Sequence, residues 1–156
     1  MISKRARYAL HGVSFLASHS PADIVPFARI LKYLRDYSSG LTLSPGYISK
    51  IFQDLSRAGI VQASVGRKGG YSLARDSHTV RAVDIVGAVD GLPVEQCCLL
   101  SVGGCDRQET CGVNSLIRRA QETFYDFLAG ETAASLAEKM FGAVPPVDDG
   151  TPPRES

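Results

Sequence analysis

The sequence predicts a mainly α-helical protein with one small β-hairpin. Apolar residues recur at three- and four-residue steps through the first part of the chain, which is the helical period. Two short β-type segments then flank the sequence Gly-Arg-Lys-Gly-Gly, and a second helical pattern begins near residue 112. Charge is divided between the halves, because Lys and Arg outnumber Asp and Glu by eleven to four in residues 1–80 but are outnumbered by six to twelve in residues 81–156. A basic first half indicates a polyanionic partner, with a solvated basic surface as the plain alternative.

The first helix is predicted over residues 3–19, with Ser3 as its N-cap. Three basic residues crowd its first turn, where positive charge is unfavourable. Their placement indicates a nearby phosphate; they are Lys4, Arg5 and Arg7. A second helix is predicted over residues 24–37, with Ile24 on its apolar face.

The third helix is predicted to begin at Ser44-Pro45, because Ser is a good N-cap and Pro suits the first helical position. Its outer face offers hydrogen-bond donors and a phenol, which suit base edges and phosphates. With Ser44, the residues predicted to contact DNA are Tyr47, Ser49, Lys50 and Gln53. An ordinary amphipathic helix with a solvated face is the alternative for this segment taken alone.

The hairpin follows the three helices directly, with strands predicted over residues 60–65 and 71–74. This order predicts a winged helix-turn-helix. Its glycine-flanked tip carries Arg67 and Lys68, which we expect to lie in or beside a minor groove.

The second half is predicted to contain a fourth helix over residues 79–90, a long helix over residues 112–128 and a short helix over residues 132–141. The long helix has an apolar stripe that needs a partner surface, and a second copy of the helix about a two-fold axis is the simplest candidate. The stripe consists of Val113, Leu116, Ile117, Ala120, Phe124, Phe127 and Leu128. Packing against its own winged domain is the alternative. The predicted divisions are a DNA-binding domain (1–80), a connecting helix and cysteine loop (81–111), a dimerisation helix with a short C-terminal helix (112–141) and a disordered tail (142–156).

All four cysteines lie within fifteen residues, in a segment containing a glycine pair and several polar residues. Clustered thiols in a loop serve as metal ligands or redox groups. An iron–sulfur cluster is favoured over a thiol–disulfide switch, and that over zinc, whose cysteine ligands usually come in closer pairs. The candidate ligands are Cys105, Cys111 and one of the adjacent pair Cys97 and Cys98, with a slight preference for Cys98.

The chain resembles the Rrf2 family of bacterial winged-helix regulators in several segments. They are Arg7-Tyr8-Ala9-Leu10, Ile48-Ser49-Lys50-Ile51-Phe52, Leu55-Ser56-Arg57-Ala58-Gly59, Gly69-Gly70-Tyr71-Ser72-Leu73 and Val83-Asp84-Ile85-Val86, with the cysteine loop and following helix. The resemblance covers about residues 1–141. It implies a homodimer that binds double-stranded DNA, with operator affinity controlled by a 2Fe-2S or 4Fe-4S cluster that senses redox, nitric oxide or iron status.

The chain departs from the family pattern at the fourth cluster ligand. Some members have a His three residues after the last Cys, where this chain has Asn114, and others an Asp near the N-terminus, where it has Arg7. His11 or an acidic residue of a partner subunit is a weaker candidate, since each His here is more often a packing or surface residue.

Other classes of function lack support in the sequence. It has no nucleophile–base pair, no phosphate-binding glycine loop and no Cys-x-x-Cys, so we do not expect an enzyme. It has no apolar run long enough to span a membrane and no signal-peptide pattern, so a cytoplasmic protein is expected.

Overall fold

The computed structural model describes residues 2–21, 23–38, 43–67, 69–91 and 112–142. In these ranges the chain forms, in order, α1 (Lys4–Ala17), α2 (Phe27–Tyr37), α3 (Pro45–Arg57), β1 (Val61–Ser64), β2 (Gly70–Leu73), α4 (Ala82–Asp90), α5 (Gly112–Gly130) and α6 (Ala133–Phe141). The predicted class, mainly helical with a small β wing, is confirmed. None of these helices is long and apolar enough to cross a membrane. The four cysteines, Lys68 and residues 143–156 lie outside the described residues.

Helix α1 lies at the centre of the core and packs against α2, α3, α4 and α6. Small residues on its inner side permit this close packing: a Cβ added at Gly12 would lie 2.9 Å from Cζ of Phe52 in α3. The core continues past residue 80, because Ala82 of α4 and Ala133 of α6 are fully buried with α1. Helices α4 and α6 therefore share one core with the first three helices.

Helix α2 begins three residues later than predicted. Val25 is paired with Tyr71 of β2, with both backbone N–H···O distances at 2.9 Å, and Pro26 occupies the N-cap position. Ile24, predicted on the apolar face, is exposed. The prediction over residues 24–37 was wrong at this end because the backbone groups of Val25 are used in a strand pairing.

Helix α4 also begins later than predicted, at Ala82 instead of residue 79. The backbone just before it pairs with the start of α6: Ala133 N donates to Val80 O at 2.8 Å, and Ala82 N donates to Glu131 O at 2.9 Å. Arg81 and Thr132 form an antiparallel bridge. These long-range hydrogen bonds hold residues 80–81 in an extended conformation and join α4 to α6.

Helix α5 extends to Gly130, two residues beyond its predicted end. Most of its apolar stripe lies on the surface of the single chain, where Leu116 is 66% exposed and Phe127 is 49% exposed. Leu128 was predicted in the same stripe but is 2% exposed and belongs to the core. Thus the C-terminal end of α5 is anchored on its own domain, whereas its apolar face remains available.

Candidate nucleic-acid interface

Helix α3 is fixed at its start and along its inner face as the sequence predicts. The Ser44 hydroxyl accepts a hydrogen bond from Tyr47 N at 3.2 Å, and Pro45 is the first helical residue. The inner face consists of fully buried residues: Ile48, Ile51, Phe52 and Leu55. This burial turns the opposite face to the surface. Ser44, predicted to contact DNA, therefore also caps the helix.

The outer face of α3 carries the side chains that the sequence assigned to DNA. Lys50 and Gln53 are exposed, Tyr47 is 38% exposed, and Ser49 is half-buried. The Tyr47 ring and the ring of Tyr8 from α1 are perpendicular to each other, with ring centroids 6.2 Å apart. An amine, an amide and a phenol thus lie on one surface, a set of groups that can bond to base edges and phosphates.

A carboxylate on α3 joins this helix to the basic start of α1. Asp54 forms ion pairs with Arg5 and with Arg57, the latter at 2.7 Å. Asp54 was not among the functional residues predicted from the sequence. Its three-residue spacing from Arg57 was the available signal, but the contact with Arg5 spans 49 positions and has no local signature.

The three basic residues at the start of α1 do not share one surface. Lys4 is exposed, and Arg5 faces α3. Arg7 lines a small apolar cavity of about 180 Å³ with α5 and α6 residues including Phe127 and Met140. The assignment of all three to DNA stays a prediction, and Arg5 is the one that forms an ion pair with Asp54 of α3.

The wing is a two-stranded antiparallel sheet in which Val61 pairs with Leu73 and Ser64 with Gly70. Arg67 is exposed at its tip. Gly66 has a φ of 113°, a conformation that favours glycine, and its carbonyl accepts from Gly69 N at 2.9 Å. The tip therefore turns tightly and presents Arg67 to the surface.

Aromatic packing and backbone pairing fix the wing against the helices. The centroid of the Tyr71 ring lies 4.7 Å from the ring centroid of Phe52 in α3 and 6.1 Å from that of Phe27 in α2. The Val25–Tyr71 pairing adds two backbone hydrogen bonds. A Cβ added at Gly70 would lie 2.2 Å from the Val25 carbonyl oxygen, so this close approach requires glycine.

His11 packs within an aromatic cluster between α1 and α2. Its Nδ1 is 3.0 Å from the Tyr33 hydroxyl, and its ring centroid is 3.6 Å from that of Tyr37. Burial lowers the pKa of His11. Burial, followed by the influence of Tyr37, raises the pKa of Tyr33 to about 12. His11 therefore has a packing role in this fold, as the sequence favoured.

Three helices with an exposed donor-rich third helix, followed by a cationic hairpin, define a winged helix-turn-helix protein. A family model described as "Iron-dependent Transcriptional regulator", that of the Rrf2 family, matches residues 2–139. The chain belongs to the Rrf2 family of transcriptional regulators, whose members bind DNA.

Individual relatives agree with this membership. The chain is 30% identical to the HTH-type transcriptional regulator IscR of Vibrio campbellii, over 86% of this chain and 76% of that protein. It is 28% identical to protein aau3 of Rhizobium meliloti, over 88% of this chain and 84% of that protein. The solved structure of CymR, the global cysteine regulator of B. subtilis, superimposes with a TM-score of 0.66 at 25% identity, covering 89% of this chain and 97% of that one.

Proposed function

We propose that this chain is a homodimeric regulator whose affinity for a double-stranded DNA operator is controlled by an iron–sulfur cluster. The main support for DNA binding is the exposed face of α3 beside the wing, where Lys50, Gln53 and Arg67 all lie at the surface. The description of the Rrf2 family as iron-dependent supports the cluster.

The cluster is assigned to Cys105, Cys111 and one of Cys97 and Cys98. These residues lie outside the described part of the chain, so the assignment rests on donor chemistry and spacing. Four thiols within fifteen residues fit the preference of 2Fe-2S and 4Fe-4S clusters for thiolates. When bound, such a cluster supplies sensitivity to oxidants, nitric oxide or iron loss.

In the proposed DNA complex, Tyr47, Lys50 and Gln53 read base edges in the major groove, while Arg67 and Lys68 lie in or beside the minor groove. Phosphates are the proposed partners of Ser44, Ser49, Lys4, Arg5 and Arg7. Phosphate contacts fix the position of the protein, and base contacts give sequence preference. The two groups of residues therefore have separable effects on binding.

The proposed dimer uses the apolar face of α5. Five large apolar residues of this helix are at least 36% exposed in the single chain: Val113, Leu116, Phe124, Tyr125 and Phe127. Exposed apolar residues that recur along one helix in this way indicate a protein interface. A second copy of the same helix across a two-fold axis covers both faces at once, and a dimer also places two α3 helices on one operator.

The DNA assignment is tested with Lys50→Ala and Lys68→Ala in salt titrations on selected and mixed-sequence duplexes. We expect Lys50→Ala to change sequence preference. Lys68→Ala weakens binding to all sequences and reduces the slope of log affinity against log salt by about one. Unchanged binding by both variants at every salt concentration contradicts the assignment of these faces.

The cluster assignment is tested by anaerobic purification followed by an absorption spectrum and iron and sulfide analysis. We expect Cys105→Ala and Cys111→Ala to lose the visible absorption and the response of DNA binding to oxygen. Cys97→Ala should keep both, with Cys98 as the ligand. Full cluster occupancy in the Cys105 and Cys111 variants contradicts the proposal, and zinc without iron favours a structural zinc site.

A thiol–disulfide switch is the second candidate, because four thiols within fifteen residues can form a disulfide with one another when oxidised. In that case the purified protein contains no iron, and oxidant changes DNA affinity while a disulfide forms within residues 97–111. Thiol counting by mass spectrometry, in parallel with the iron analysis, separates the two candidates.

A further inference from the structure

Two carboxylates from different helices hold the first turn of α1: Asp90 at the end of α4 and Asp54 on α3. We propose that both are positioning residues for DNA binding, which keep the start of α1 against α3 so that Arg5 and Arg57 face the DNA backbone. This inference rests on the proposed function and adds two acidic residues to a surface otherwise assigned to basic and neutral groups.

Asp54 uses one oxygen for each guanidinium. Arg5 donates from Nη2 to Oδ2, and Arg57 donates from Nη1 to Oδ1. The Asp54 side chain is 17% exposed, whereas those of Arg5 and Arg57 are 33% and 74% exposed. Since a guanidinium has five N–H donors, both arginines keep donors for a phosphate while Asp54 fixes their direction.

Asp90 fixes the N-cap of α1. Ser3 N donates to Oδ2 of Asp90 at 3.0 Å, and the Ser3 hydroxyl donates to Oδ1. The same hydroxyl accepts from Ala6 N at 3.1 Å, which is the capping bond of the helix. Asp90 therefore orients the residue that starts α1, two positions before Arg5.

The first turn of α1 needs this support because it has no acidic residue and carries Lys4, Arg5 and Arg7 near the positive end of the helix dipole. Without the two carboxylates, the positive side chains of the first turn repel one another and the positive end of the helix dipole, and Arg5 loses its fixed position. Each arginine must then be ordered when DNA binds, which costs conformational entropy.

If the two carboxylates position the arginines, their removal changes DNA affinity in one direction. If they act only as charges, it changes affinity in the opposite direction. If the carboxylates acted only as negative charges near DNA, their removal would strengthen binding, because phosphate repulsion falls. If they position the arginines, their removal weakens binding and makes it less dependent on salt. The sign of the change therefore identifies the role.

The test compares Asp54→Asn and Asp90→Ala with Glu138→Gln, which removes the same charge from an exposed residue on α6. The full-length, anaerobically purified protein is titrated with a labelled mixed-sequence duplex at several salt concentrations. We expect both Asp variants to bind about three- to tenfold more weakly, with a salt slope shallower by about 0.9 for each phosphate that is no longer neutralised. Glu138→Gln should bind at least as tightly as the unmodified protein.

A double-mutant cycle with Arg5→Ala tests the route from Asp90. If Asp90 acts through Arg5, its removal has little further effect on DNA affinity in the Arg5→Ala background. Melting curves and iron content confirm that the variants are folded and equally loaded. Equal or tighter binding by both Asp variants overturns the inference and leaves the proposed function standing, as does a weakening without a change in salt slope. Failure of the unmodified protein to bind any duplex refutes the proposed function and this inference together.

Discussion

Gly70→Ala tests how the wing is fixed to the helical core. A Cβ at this position would lie 2.2 Å from the carbonyl oxygen and 2.7 Å from the carbonyl carbon of Val25, both backbone atoms. Neither atom can move without breaking the pairing of Val25 with Tyr71. The substitution therefore forces β2 away from the segment that precedes α2.

The cost follows from the hydrogen bonds that the substitution breaks. Two backbone hydrogen bonds of 2.9 Å join Val25 and Tyr71. Each contributes about 1 kcal/mol, and backbone displacement adds to the loss, so we expect the free energy of unfolding to fall by about 2–4 kcal/mol. For a domain of this size, that corresponds to a fall in melting temperature of roughly 5–15 °C.

Chemical denaturation of Gly70→Ala, with Gly46→Ala as a matched control, measures this effect. Gly46 lies within α3, and a Cβ there meets nothing within 4 Å, so the control should be neutral or stabilising by about 0.5–1 kcal/mol. If the two variants have the same free energy of unfolding, the close approach at Gly70 does not constrain the wing and the reasoning is refuted.

Two further predictions concern assembly and pH. Ala120→Glu places a charge in the proposed α5 interface, which costs several kcal/mol if the charge is buried unpaired, so we expect monomeric or insoluble protein in sedimentation experiments. The pKa of His11 is below its usual 6.5 in the folded chain because of burial, so the unfolded chain takes up a proton first as pH falls. Its contribution to stability is therefore present above pH 6.5 and lost as pH decreases through the folded-state pKa.

Each of these predictions has a clear contrary outcome. Ser115→Glu, exposed on the side of α5 away from the apolar stripe, should leave the dimer intact; a dimer of unchanged affinity in Ala120→Glu excludes this interface. For pH, the unfolding midpoint is followed from above to below pH 6.5 in the unmodified protein and in His11→Gln. An identical pH dependence in both rules out His11 as a source of the loss.

The sequence predicted correctly those features that are determined by residues close together in the chain, namely the start and inner face of α3 and the position of the wing. Ser44-Pro45 indicated the start of α3, since capping and proline geometry act within one helical turn. The apolar period indicated the inner face of α3, and thereby the outer face assigned to DNA. The glycine-rich tip between two β-type segments predicted the wing, with an error of one residue at each strand end.

The errors occur where a distant segment uses the backbone. Ile24 fits the helical period, but Val25 pairs with Tyr71, which is 46 positions away. Residues 79–81 also fit a helix, yet Val80 bonds to the start of α6. A local period contains no information about such pairings, because the competing hydrogen bonds come from a part of the chain that the pattern does not include.

The basic start of α1 shows how a local rule that fails can indicate a functional surface. Lys4, Arg5 and Arg7 are unfavourable at a helix N-terminus, and the sequence offers no acidic residue in that turn. The structure supplies the missing negative charge from Asp54 and Asp90, which lie far away in the chain but adjacent in the fold. Asp54 and Asp90 could offset the positive charge of the first turn even if both carboxylates and all the arginines were turned away from the surface. However, Asp54 of α3 holds Arg5 of α1 beside Arg57 of α3, with the two arginine side chains 33% and 74% exposed. An arrangement for stability alone does not require this. The proposed binding of DNA phosphates by these arginines accounts for both the unfavourable charges and the carboxylates beside them.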